Sequence, residues 1–359
     1  MLYICTFLKL NISLAYNIYT CHLPFILESG HTLPGYHLAY STYGSFNDAK
    51  DNVVWIFHAL TANSKPDEWW PGLVGEGKLF DPEKYFIICV NMPGSCYGSI
   101  GPLDINKETN KPFYHDFPFF TPRDMIRSYQ PLKDYLGIKK IKIGIGGSMG
   151  GQQLLEWAIE EPELFEYIFP VATNAIHSAW GIAFNASQRM CIDADETWKQ
   201  KTEQAGMEGM KAARSVALIS YRHYETYHAS QNENENERID NFKSESYQKY
   251  QGEKLARRFN AFSYYFLSKG MDSHNVGRGR GSVEIALREI KAKTLAIGIE
   301  TDILFPLNEQ RFIATNVHNG KFISINSLYG HDGFLLEAEQ IQKIITNFIT
   351  KTKQSKILI

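Results

Sequence analysis

Apolar positions along the chain fall into two patterns. The first is a set of short, nearly unbroken apolar runs. Residues 53–57 (VVWIF) form one, and residues 85–90 (YFIICV) another, just after the turn signal Asp81-Pro82. At 141–145 three isoleucines alternate with Lys142 and Gly144, directly ahead of a glycine cluster. Further runs lie at 167–172, 294–299 (TLAIGI) and 321–325 (KFISI). Runs this short and apolar, bounded by turn residues, predict strands buried on both faces. The second pattern is helical spacing between those runs. Residues 152–159 show it directly after the glycine cluster. Leu335, Ala338, Ile341, Ile345 and Phe348 recur at steps of three and four, the stripe of an amphipathic helix that packs onto a sheet. Strands alternating with helices predict an α/β fold with a mostly parallel central sheet flanked by helices.

The pattern changes between residues 174 and 289. Strand-like runs vanish, and helical stretches rich in Arg, Lys, Glu and Tyr take over. Residues 231–240 (QNENENERID) are poor in apolar groups and predict a solvated loop or helix end. The expected organisation is a core in two parts, 22–173 and 290–352, with a helical lid inserted at 174–289. Residues 1–21 are set apart as an N-terminal extension. Lys9, Asn11 and Asn17 break their apolar character, so the stretch is too interrupted to span a bilayer. It has neither a charged start nor a small-residue cleavage site, and a weak export signal is the lesser alternative.

Composition narrows the classes. Of 359 residues, 44% are hydrophobic and 21% charged, the balance of a globular domain. A formal net charge of −2 offers no basic field to nucleic acid. Five scattered cysteines without a CxxC spacing argue against a disulfide framework or a metal site and point to the reducing cytoplasm.

The candidate chemistry sits in Gly146-Gly147-Ser148-Met149-Gly150, a G-x-S-x-G pattern. Five residues alone are weak. The alternating strand before them and the helix after them supply the setting a nucleophile elbow needs. There a sharp turn lifts the serine hydroxyl above the sheet, and the following helix N-terminus offers N–H groups to a developing oxyanion. A serine needs a base, and the base an orienting acid, in the chain order Ser, Asp or Glu, His. Asp302 follows the run ending at Ile299, and His331 follows the run ending at Ile325, both just past strand carboxyl ends. Glu300 and His318 compete for these roles; Glu300 lies nearer the strand body, and His318 reads as a surface residue. The oxyanion donors are expected to be the backbone N–H groups of Met149, after the serine, and Leu60, in the loop after VVWIF. His58, in the same loop, reads as structural.

Longer stretches carry a family resemblance: LPGYHLAYSTYG (33–44), HALTANS (58–64), CYGSIGP (96–102), GGSMGGQQLLEWA (146–158), ATNAIHSAWGIAFNASQR (172–189), ARSVALISYR (213–222) and YGHDGFLLE (329–337). In these the chain resembles the homoserine O-acetyltransferases of the α/β-hydrolase superfamily, over residues 25–348. The resemblance implies a ping-pong transfer of an acetyl group from acetyl-CoA, through Ser148, to L-homoserine, as in methionine biosynthesis. It implies that Arg214 holds the homoserine carboxylate, with Tyr221 supporting that end, and that Asp332 binds the ammonium group. It further implies a lid that shields the acyl-enzyme from water, a homodimer joined through the lid, and no permanently bound cofactor.

The loop at 91–98 departs from the family in Pro93 and Ser95, and Ile100 and Leu103 depart as well. These changes bear on the choice of acyl group. Succinyl-CoA as donor and serine as acceptor are the nearest alternatives. A plain esterase and a silent binding scaffold follow. Arg214 with Asp332 argues against the esterase, and the complete serine, aspartate and histidine set against the scaffold. Cys96 reads as a pocket-lining thiol.

Overall fold

The computed structural model describes residues 16–357. Eight strands build the central sheet: β1 Asn17–Cys21, β2 Tyr36–Tyr43, β3 Val53–Phe57, β4 Phe86–Val90, β5 Ile141–Gly147, β6 Phe165–Val171, β7 Lys293–Ile299 and β8 Gly320–Ile325. Their order is β1-β2-β4-β3-β5-β6-β7-β8. β2 runs antiparallel to β1 and β4, and all other neighbours are parallel.

Each of the six apolar runs is a strand of this sheet, and the reason is visible in β3. Val54 and Ile56 join Ile143, Ile145, Ile345 and Phe348 on one face. Val53, Trp55 and Phe57 point to the other face, with Leu154 and Trp157. The rings of Trp55 and Trp157 meet edge to face at 4.7 Å. A strand covered on both faces cannot alternate polar and apolar side chains.

The helices used below are α1 Pro122–Tyr135, α2 Met149–Glu160, α3 Ala179–Asp193, α4 Met207–Tyr221, α5 Tyr224–Gln231, α6 Lys243–Ala256, α7 Ala261–Asp272, α8 Val283–Arg288, α9 Leu307–Asn316, α10 Gly333–Leu336 and α11 Ala338–Ile357. The run from α3 to α8 lies between β6 and β7, and 232–240 is an irregular, largely exposed stretch after α5.

Two differences from the sequence reading have physical causes. Residues 1–21 do not lie wholly outside the sheet. Asn17–Cys21 pairs with β2 from Asn17↔Tyr40 to Cys21↔Tyr36 and covers what would otherwise be an open edge. Ile18 is exposed and Cys21 buried, so the segment lacks the continuous apolar run that marks inner strands. The rest of the expected extension, residues 1–15, lies outside the described residues. The C-terminal stripe also belongs to two helices. Trp70 Nε1 donates to Phe334 O at 2.7 Å, taking the carbonyl that a continuous helix would offer to the N–H of Ala338. Leu335 therefore sits in α10, and α11 begins after the break.

Candidate functional site

Ser148 stands between β5 and α2 with φ 56° and ψ −127°, a backbone conformation that L residues seldom adopt. The neighbouring glycines make the turn possible. A Cβ on Gly146 would collide with the carbonyl of Gly150, and one on Gly150 with the carbonyl of Phe57. Thr173 Oγ1 donates to Ser148 O at 2.7 Å and Ser148 N–H to Val171 O at 3.0 Å, which fix the turn to the end of β6. The serine is 6% exposed at the bottom of a cavity of about 820 Å³.

Asp302 and His331 come from the ends of β7 and β8. Asp302 Oδ2 lies 2.7 Å from His331 Nδ1. Its Oδ1 accepts the N–H groups of Leu304 at 2.8 Å and Phe305 at 2.9 Å. The carboxylate is thus held at both oxygens, which directs the imidazole by a fixed acceptor. Three rings surround His331: Phe305 at 5.1 Å, Phe334 at 5.3 Å and Tyr221 at 5.6 Å between centroids. His331 and Ser148 line the same cavity.

The competing residues have other surroundings. Glu300 is exposed and accepts from Ser324 Oγ at 3.1 Å. His318 is exposed ahead of β8. His58 is buried with both ring nitrogens engaged: Nε2 accepts the N–H of Met92 at 3.0 Å, and Nδ1 donates to Ala59 O at 2.9 Å. Burial pulls its pKa down to about 4, so the ring is a neutral brace between the ends of β3 and β4.

Leu60 lines the cavity, and among the described residues its N–H has no backbone partner. Met149 is the first residue of α2, so its N–H is one of the donors a helix start leaves unpaired. Burial pushes the Cys96 thiol up to about 12, which leaves it protonated and unreactive near neutral pH.

Arg214 and Tyr221 arrive from α4. Gly330 lets them approach: at φ +61°, a Cβ there would sit 3.0 Å from the backbone of Tyr221, Arg222 and His223. The Arg214 guanidinium lies 5.4 Å from the Tyr221 ring centroid, and among the described residues it has no carboxylate partner. Burial raises the Tyr221 hydroxyl above its ordinary pKa, against the pull of Arg214. Asp332 lines the same cavity but is already paired. Arg222 Nε lies 2.9 Å from its Oδ2, within ion-pair distance, although the N–H direction misses hydrogen-bond geometry. The family resemblance gives Asp332 to the ammonium group, and nothing in the sequence assigns a role to Arg222. Arg222 adjoins Tyr221 in the chain, and only the turn at Gly330 brings it to Asp332.

A serine hydroxyl, an imidazole held by a carboxylate, two N–H donors and a guanidinium that meets no carboxylate among the described residues can together activate an acyl group and bind an anionic acceptor. Among the described residues no cluster of His, Cys, Asp or Glu could hold a metal ion, and no helix is long and apolar enough to cross a membrane.

Comparison with known proteins gives the family and the fold. A family model described as the alpha/beta hydrolase fold matches residues 52–338. A homoserine O-acetyltransferase of Cyclobacterium marinum is 49% identical over 339 residues, covering 94% of this chain and 96% of that protein. The crystal structure of homoserine O-acetyltransferase from Bacillus anthracis superposes with a TM-score of 0.85 at 25% identity, over 93% of this chain and 97% of that one. Esterase E22 shares the fold with a TM-score of 0.85 at 24% identity, over 93% and 99% of the two chains.

Proposed function

The chain belongs to the homoserine O-acetyltransferase family of the α/β hydrolases, and on that premise we propose that it transfers an acetyl group from acetyl-CoA to the side-chain hydroxyl of L-homoserine, a step of methionine biosynthesis. The observation that carries this reading is the unpaired Arg214 guanidinium in the cavity that holds Ser148 and His331. A hydrolase acting on simple esters has no use for it.

In the first half-reaction Ser148 Oγ attacks the thioester carbon while His331 takes its proton. Asp302 stabilises the imidazolium that forms. The N–H groups of Leu60 and Met149 meet the oxyanion. The C–S bond breaks, the thiolate leaves with the proton from His331, and an acyl-Ser148 ester remains. In the second half-reaction His331 removes the proton from the homoserine hydroxyl, which attacks the acyl carbon. Ser148 Oγ leaves and regains a proton from His331. Arg214 clamps the carboxylate in the two-pronged geometry a guanidinium provides. Asp332 receives the ammonium, which shares the carboxylate with Arg222. Tyr221 packs between Arg214 and His331 and supports the clamp. The helices from α3 to α8 form a lid that keeps water from the acyl ester. The reading includes a homodimer through that lid, whose Trp180, Met190 and Ile219 are exposed, and a cytoplasmic location.

The likeness to an esterase keeps hydrolysis as the second reading. Thiol release from acetyl-CoA, followed with and without L-homoserine, separates the two. We expect sustained release only with homoserine, and an acetyl adduct on Ser148 by intact mass without it. Release at the same rate in the absence of any amino acid would overturn the transferase reading. Parallel runs with succinyl-CoA and with L-serine decide the donor and the acceptor.

A further inference from the structure

Three arginines line the cavity, and their surroundings differ. Arg214 is half-buried, close to the reacting groups. Arg257 and Arg258 are exposed and so belong to the rim, whereas Ser148 and His331 are buried in the same cavity. Arg258 donates to Thr61 O and to the Tyr97 hydroxyl, both at 2.5 Å. Arg257 directly follows α6, and among the described residues its side chain has no hydrogen bond or ion pair. The carboxylates of the same cavity are already matched: Glu68 lies 3.6 Å from Lys65, and Asp332 faces Arg222. Among the described residues, the rim therefore carries two adjacent positive charges without a carboxylate to answer them. A cation after a helix C-terminus is favourable on its own account. That effect does not explain a second guanidinium beside it on the same rim.

We infer that Arg257, with Arg258 beside it, binds the phosphate groups of the acyl donor. The inference rests on the proposed function, because it needs a donor with a phosphorylated tail. In a CoA thioester a long flexible arm separates the reacting carbonyl from the phosphates. With the carbonyl at Ser148, the phosphates must lie toward the cavity mouth. Guanidinium groups match phosphate oxygens in two-pronged geometry, and an unpaired one loses no existing ion pair on binding. Arg258 also holds the Thr61 carbonyl, one residue after Leu60, so phosphate binding at the rim adjoins the oxyanion loop. Arg257 is free of that second duty and is the cleaner test.

The test compares donors in steady-state kinetics on the full chain. With Arg257→Ala, KM for acetyl-CoA should rise about fivefold, the upper end of the loss expected for one charge-assisted contact at an exposed position. KM for S-acetylpantetheine, which lacks every phosphate, should stay within about twofold of the wild type. Arg257→Lys keeps the charge and should recover part of the loss. Raised salt should weaken acetyl-CoA use in the wild type more than in Arg257→Ala. Acetyl-dephospho-CoA then distinguishes the two phosphate sources. A penalty that persists with it assigns Arg257 to the diphosphate, and one that disappears assigns it to the 3′-phosphate. An unchanged KM for acetyl-CoA, or equal penalties for acetyl-CoA and S-acetylpantetheine, would overturn the inference. A wild type inert toward acetyl-CoA but active with another donor would overturn the proposed donor instead, and this inference with it.

Discussion

Ser148, the proposed nucleophile, carries backbone strain. At φ 56° and ψ −127° a side chain is disfavoured, and conformations of this kind cost on the order of 1–3 kcal/mol. Glycine adopts them freely, but with greater entropy in the unfolded chain. The two effects predict an order among inactive variants. Ser148→Gly should be more stable than Ser148→Ala by about 1 kcal/mol, read from urea unfolding of both proteins. Equal midpoints would mean that the turn is not strained. The serine is legible in sequence because the elbow is local: strand, glycines, serine and helix follow one another along the chain. The environment of Asp332 is not legible. Arg222 reaches it only because Gly330 permits close approach of two segments far apart in sequence.

At the scale of elements, the helical insertion between β6 and β7 is anchored to the sheet layer by buried charge. Glu156 on α2 is 1% exposed, and its Oε2 accepts from Arg123 Nε at 3.1 Å and Arg280 Nη1 at 2.7 Å. Arg280 and Arg278 lie on the returning segment between α7 and α8, and Arg278 pairs with Glu28 at 2.7 Å. α1 begins in the same network. Thr121 caps it, accepting from Asp124 N–H, while Asp124 reaches back to the Thr121 N–H. Removing one partner of a buried ion pair leaves an uncompensated charge. Glu156→Gln keeps the shape and should lower unfolding free energy by about 3 kcal/mol, measured by chemical denaturation. A loss below about 0.5 kcal/mol would show that the two arginines find solvent instead. None of these pairings can be read from the sequence, where the arginines of 278 and 280 look like surface charge.

The whole molecule carries a pH signature in its buried histidines. Burial draws His58 and His177 down to about 4 and His274 to about 3, from an ordinary value of 6.5. His177 lies against Gln152 of α2 and Asn185 of α3, and His274 Nε2 donates to Asn174 O at 3.0 Å, so both sit where the inserted helices meet the sheet layer. As pH falls through about 6.5 the unfolded chain takes up protons, while the folded histidines stay neutral. The unfolded state then binds more protons, so stability falls. The contribution is fully present above about 6.5 and is lost progressively toward about 4. Each histidine weakens the fold by about 1.4 kcal/mol for every pH step of one across that window. Thermal melts should show a constant Tm above pH 7 and a steady decline below 6.5. A Tm unchanged from pH 7 to pH 5 would contradict the neutral buried rings. Glu28 and Glu160, whose arginine partners hold them below the ordinary carboxylate value, add a loss only at lower pH.

The sequence by itself determined the parallel sheet, the nucleophile elbow and the order of serine, aspartate and histidine. Each of these is written in contiguous residues whose spacing follows strand or helix geometry. The proposed amino-acid clamp entered only through family resemblance, since a lone arginine on a helix looks like surface charge. The tertiary structure alone decided which charges are paired and which are free. It paired Asp332 with Arg222, Glu156 with two arginines and Glu68 with Lys65, and among the described residues left Arg214 and Arg257 without a carboxylate. It also placed Asn17–Cys21 at the sheet edge and divided the last apolar stripe at the Trp70 hydrogen bond. Such outcomes depend on contacts between segments distant along the chain. Local periodicity does not encode these contacts, because a side chain's partner is set by the path of the backbone between them.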